Sequence, residues 1–162
     1  MRVTTLAIFL TSALGVGIQA MASPKEDCEQ LMNAALPFAE RMLRQEGEFY
    51  PYGAVLGNDG RISDIAGYDG KEHPASANII KLIHDGFVQE ARTGKYKATA
   101  LVYDVKVAVP SNGVPSDAIA VALDHRDDYS VIVYFPYQLK NGHLTLGEAF
   151  AQKGKGDVFL SP

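Results

Sequence analysis

Thr99-Ala100-Leu101-Val102-Tyr103-Asp104-Val105-Lys106-Val107-Ala108-Val109 alternates strictly, with Leu101, Tyr103, Val105, Val107 and Val109 on one side. Ala100, Val102, Asp104, Lys106 and Ala108 fall on the other. Successive side chains of a strand point to opposite faces, so a period of two rich in β-branched and aromatic residues predicts a strand. Downstream, Asp117 to His125 repeats the pattern, with Ile119, Val121 and Leu123 opposite Ala118, Ala120 and Ala122. Tyr129 to Tyr137 then sets Val131, Val133 and Phe135 against Ile132 and Tyr134. The joint His125-Arg126-Asp127-Asp128 is short and polar, as a hairpin connection requires, so the three runs read as an antiparallel meander. Both faces of the middle run are apolar, which calls for cover on each side, most simply one helix per face. Its alanine side predicts close approach by whatever lies over it.

Upstream, Ser23-Pro24-Lys25-Glu26 carries a capping serine, proline at the first helical position and glutamate at the third. Cys28, Leu31, Met32, Ala35, Ala39, Met42 and Leu43 follow at helical spacing up to Gly47. Pro37 inside this stripe removes a backbone donor and predicts a kink or a break. Asn58-Asp59-Gly60 is turn chemistry between strands expected at Tyr52 to Leu56 and Arg61 to Tyr68. Gly53 and Gly57 would permit another backbone to come close. A second helix is expected from Ala75-Ser76, burying Ile79, Ile80, Ile83, Phe87 and Ala91, with His84, Asp85, Gln89 and Arg92 solvated and Gly94 closing it. Leu144 and Leu146 suggest one more short strand. Lys153 to Asp157 is flexible by composition, and Val158-Phe159-Leu160 is expected to tuck back.

Met1-Arg2, the apolar run Val3 to Ile18 and the small-x-small triplet Ala20-Met21-Ala22 have the form of a secretory signal peptide over residues 1–22. The expected product is a single α+β domain over residues 23–162, periplasmic or secreted. The apolar run is interrupted and short for a span, so stable membrane insertion is not expected. Losing Arg2 from 15 basic residues against 19 acidic ones takes the formal net charge from −4 to −5. That mild acidity argues against nucleic acid, which needs clustered Lys and Arg. The one cysteine, Cys28, excludes an intramolecular disulfide; a buried or spectator thiol is expected, with a disulfide-linked homodimer or a reactive thiol as the alternatives.

The element order α-β-β-α-β-β-β, with a single antiparallel sheet of five or six strands and a helix on each face, resembles the profilin-like and roadblock-type folds. Their members mostly bind partners or small ligands. Gly47-Glu48-Phe49-Tyr50-Pro51-Tyr52-Gly53-Ala54, Ala100-Leu101-Val102-Tyr103-Asp104-Val105, Asp117-Ala118-Ile119-Ala120-Val121 and Asp124-His125-Arg126-Asp127 together resemble a set of small bacterial proteins of uncharacterised function. That likeness implies no activity, so none is carried over.

The chain lacks the common signatures of zinc proteases, phosphate-binding loops, nucleophile elbows and dithiol redox sites. His73, His84, His125 and His143 are too scattered to call for a metal, and nothing calls for a cofactor. The densest ionisable cluster, Asp124 to Asp128, allows His125 to act as acid or base with Asp104, Asp124 or Asp127, as in a small hydrolase. The plainer expectation is a solvated hairpin tip. Asp104 with Lys106, on a face otherwise lined by Ala and Val, reads as a strand end meeting water. Gly154-Lys155-Gly156 offers a weak anion cradle. The aromatic run Phe49, Tyr50 and Tyr52, with Tyr68 and Asp69 at the far end of the hairpin, is expected to form a binding patch at the sheet edge. The alternative is that these rings cap the helix kink at Pro37. The expected function is therefore an exported binding module for a protein partner or a small ligand, for instance one neutralising a toxin. Intact-mass measurement of the exported protein is expected to place its first residue at Ser23; a product retaining Met1 to Ala22 would overturn that cleavage.

Overall fold

The computed structural model describes residues 22–160. The leader expected over residues 1–22 lies outside them, apart from Ala22. The chain forms α1 (Pro24–Glu46), β1 (Tyr52–Gly57), β2 (Ile62–Ala66), α2 (Ser76–Ala91), β3 (Tyr96–Ala108), β4 (Pro115–His125), β5 (Tyr129–Lys140), β6 (His143–Leu146) and β7 (Phe150–Lys153). All seven strands join one antiparallel sheet in the order β2-β1-β3-β4-β5-β6, with β7 also paired to β5. Over the described residues the protein is thus α+β, two helices on one sheet. The expected five or six strands become seven because the outer edge of β5 is shared. Tyr137–Lys140 pairs with β6, and Val131–Tyr134 pairs with β7.

The alternation assigns the faces as the sequence predicts. Leu31, Ala35, Ala39 and Leu43 of α1 bury against Ala54, Leu56, Ala98, Ala100, Val102, Ile119, Val121 and Leu123. Each leucine so buried contributes about 1.5–3 kcal/mol of transfer free energy. On the opposite face, Ile79, Ile83 and Phe87 of α2 pack on Val55 and Leu101, joined by Val158. α1 spans the sheet from β2 to β6, whereas α2 rests on β1 and β3.

Glycine sets where α2 rests. A methyl group on Gly53 would lie 2.6 Å from the Phe87 ring and 3.1 Å from Ile83. One on Gly67 would lie 2.9 Å from Ile79 and 3.0 Å from Ile83. The helix therefore beds into a notch at the β1–β2 side of the sheet. Gly53 was expected to admit another backbone; what it admits is a ring of the protein's own second helix. The alanine side of β4, expected to lie under a closely packed helix, is left beside it.

Pro37 does not split α1, which runs unbroken for 23 residues. The Tyr52 hydroxyl donates to the Ala35 carbonyl at 2.7 Å and accepts from the Ala39 N–H at 3.1 Å. These are the two groups that the i→i−4 ladder of an undisturbed helix would pair. The ring is held there by Phe38, edge-on at 4.8 Å, and by Phe49 at 6.2 Å. Burial moves the Tyr52 phenol well above its ordinary pKa, so it stays a donor. Removing only this hydroxyl, by Tyr52→Phe, would strand buried backbone groups. It is expected to lower stability by about 1–3 kcal/mol in urea unfolding, with helix content unchanged by circular dichroism. An unaltered midpoint would show that the bridge is dispensable.

Candidate functional site

Because α2 is drawn toward β1, a groove of about 380 Å³ remains between that helix and the segment after β7. Its floor is the register row Leu101, Ala122 and Ile132 on β3, β4 and β5. Ala122, flanked by two larger residues, gives the groove its depth. One wall is Ile80, His84 and Phe87 of α2; the other is Gly154, Lys155, Asp157 and Val158. The next register row, Thr99, Asp124 and Ser130, forms a polar end.

The second wall is fixed, although its composition predicts flexibility. The Gly154 N–H donates to the Ser130 carbonyl at 3.2 Å, and the Gly156 N–H donates to the Ser130 hydroxyl oxygen at 3.0 Å. A side chain at Gly154 would have its first carbon 2.0 Å from that oxygen. These amides are therefore committed to Ser130 and do not form the anion cradle the sequence suggested. Val158 is buried against the α2 cluster, as expected of a tail that tucks back. His84, expected to be solvated, lies half-buried with Nε2 3.0 Å from Asp157 Oδ1, tying the segment to α2.

Asp124 is the electrostatic feature of this groove. Its Oδ1 is inaccessible and has no hydrogen-bond partner. Burial, the largest influence, raises the carboxyl above its ordinary pKa; the Ser130 hydroxyl opposes that, Asp157 adds to it and His84 opposes it. A carboxylate held without a full set of partners is costly, and such groups cluster where proteins bind or react.

The residues named from sequence divide. Phe49 and Tyr52 are buried and serve the α1 packing, so they cannot present a surface patch. Tyr50 and Tyr68 are 45% and 73% exposed near the open β2 edge. Tyr50 Oη lies 3.4 Å from His73 Nδ1. Asp69 accepts from the Lys71 N–H at 3.1 Å in a local turn. The aromatic cluster is thus half core and half surface.

His125 is not at a solvated tip. Its side chain is 2% exposed. Nδ1 accepts the Asp127 N–H at 3.1 Å, which leaves Nε2 as the protonated nitrogen facing Asp27 Oδ2 at 3.3 Å. Lys97 reaches the other oxygen of Asp27 at 2.8 Å. Both ring nitrogens are thereby occupied, and the carboxylate engaged is Asp27, which the sequence reading had not paired with it. The Asp127 carboxylate is exposed, 3.7 Å from Nδ1. Asp104 pairs with Ile119 in register, six residues along β4 from His125, about 20 Å at the usual strand rise. There it accepts from the Tyr137 hydroxyl at 3.0 Å. Lys106 lies 3.5 Å from Asp117. Cys28 is buried, and its thiol is pushed up to about 12 by that burial and by Asp124 and Asp27. Among the described residues, no three His, Cys, Asp or Glu side chains converge as metal ligands. No helix among them is long and apolar enough to cross a membrane.

Comparison with protein-family models, with curated proteins and with solved structures gives no match. The groove therefore stands on its own geometry. Asp124 appeared in the sequence only as one of several carboxylates near His125. Alternation placed it on the opposite face from His125, and that was the available signal. With the Asp124 carboxyl pKa raised in the folded state, native stability is lost as pH climbs from the unfolded pKa through the folded one. Asp124→Asn lacks that loss. The variant is expected to melt higher than the parent near neutral pH and alike below the ordinary carboxyl range. A lower melting temperature for the variant near neutral pH would contradict this reading of the site.

Proposed function

We propose that the chain is an exported binding domain that takes a small, largely apolar ligand in the groove beside α2. The observation that carries this reading is the groove itself. An apolar floor and wall enclosing about 380 Å³, with one under-partnered carboxylate at the end, is the usual composition of a small-molecule site. Its walls are pre-formed, since Ser130 and His84 hold the 154–158 segment in place. The ligand would meet little conformational cost on entry.

Export is supported by the N-terminal pattern and by the chemistry of Ser23. The Ser23 nitrogen lies 2.7 Å from Glu26 Oε2, and its hydroxyl caps the Glu26 N–H at 3.2 Å. Cleavage before Ser23 would turn that nitrogen into an ammonium and its bond to Glu26 into a charge-assisted one.

The rival reading, a hydrolase built on His125, has less behind it, because that ring is enclosed and both its nitrogens are engaged. A protein partner at the sheet edge is left with Tyr50 and Tyr68, without the buried Phe49 and Tyr52.

Indole, which the groove would hold with room to spare, tests the proposal by amide chemical shifts. Shifts are expected at Ile80, Ala122 and Ile132, and they should vanish in Ala122→Leu, whose longer side chain fills the floor while the rest of the spectrum stays dispersed. Shifts centred on Tyr50 and Tyr68, or shifts that survive the substitution, would overturn the groove as the binding site.

A further inference from the structure

The groove's polar end has a definite chemical preference. Asp124 lines this end of the groove, and its enclosed Oδ1 has no hydrogen-bond partner. Thr99 and Ser130 flank it in register, and both are neutral, so neither supplies a counter-charge. The cations of the groove are engaged or placed at its mouth. Lys81 is paired with Asp85 at 2.5 Å, and His84 with Asp157 at 3.0 Å. Lys155 is exposed on the outer wall. No side-chain cation of the described residues is bonded to Asp124. Beyond it the floor turns apolar through Leu101, Ala122 and Ile132, and Tyr103 lies farther along.

Resting on the groove reading above, we propose that this site selects small organic cations: an ammonium group at the Asp124 carboxylate, which lines the polar end, carried on an aliphatic or aromatic body that lies over Ala122. A neutral molecule of the same shape would fill the floor but leave the charge problem as it stands. An anion would be turned away by Asp124 and Asp157. A cation supplies the missing counter-charge, in surroundings where a charge-assisted bond is worth more than in water. Burial already makes this carboxyl reluctant to ionise, so the site would be costly to keep without such a ligand.

The test compares three probes of nearly one shape on the mature chain by isothermal titration calorimetry: 2-phenylethylammonium, 2-phenylethanol and 3-phenylpropanoate. The ammonium is expected to bind at least about tenfold more tightly than the alcohol, a difference of about 1.4 kcal/mol, with the carboxylate weakest. In Asp124→Asn the ammonium should lose its advantage over the alcohol, and a cooperative melting transition reports that the variant is folded. Equal binding of ammonium and alcohol to the parent chain would overturn the cation preference, and so would tightest binding of the carboxylate, which would make Lys155 the anchor. Either result leaves the groove reading intact so long as indole still occupies it. Loss of indole binding at the groove would remove the reading beneath.

Discussion

A strand that is apolar on both faces has to be covered twice, and β4 is such a strand, with Ile119, Val121 and Leu123 on one side and Ala118, Ala120 and Ala122 on the other. The first face is met in full by α1, which crosses the sheet from β2 to β6. The second has only α2, and the notch left by Gly53 and Gly67 draws that helix toward β1 and β2. One sixteen-residue helix cannot both fill the notch and reach β5. The rest of that face is covered by other means. Tyr103 and Tyr134 flank Ala120 in register, Phe150 stacks on Tyr134 at 5.1 Å, and the segment after β7 returns to close the side of the groove.

Polar groups inside the core follow the same logic of enforced pairing. Asp27, in the first turn of α1, is buried between Lys97 and His125, and the positive end of the helix favours its charge. Breaking such a set by removing one member is expensive, because a buried charge or donor is left alone. Tyr52 meets a similar demand in the middle of α1, where its hydroxyl serves Ala35 and Ala39 beside Pro37. These two sites tie α1 to the sheet near its start and at its centre. Asp124 is the contrast: its Oδ1 is a buried oxygen that the fold leaves without a partner, at the end of the groove beside α2.

The aromatic stretch Phe49 to Tyr52 shows how sequence and structure divide the work. Its composition announced a role for aromatic rings without saying which. Alternation along β1 sends Tyr52 to the face of α1, where Ala54 and Leu56 also lie, and Val55 to the face of α2. Once α1 is docked, Tyr52 and Phe49 are enclosed, and only Tyr50 and Tyr68 remain outside. His125 followed the same course. Its charged neighbours Arg126, Asp127 and Asp128 are exposed as a hairpin tip should be, but its own ring points inward with the Leu123 face and meets Asp27 from another element.

What the sequence determined by itself is periodic and local. The alternation of Thr99 to Val109 and Asp117 to Tyr137, the capping box at Ser23 and the turn residues at Asn58-Asp59-Gly60 specify the helices, the meander and the faces, because each rests on neighbours a few residues apart. The groove depended on relations that no short stretch contains. Where α2 sits is decided by the contact of Gly53 and Gly67 with Ile79, Ile83 and Phe87; the groove's far wall is decided by Ser130 meeting Gly154 and Gly156. Those are packing contacts between elements far apart in the chain. They exist only once the sheet has brought its strands into register and left one helix too narrow for the face it covers.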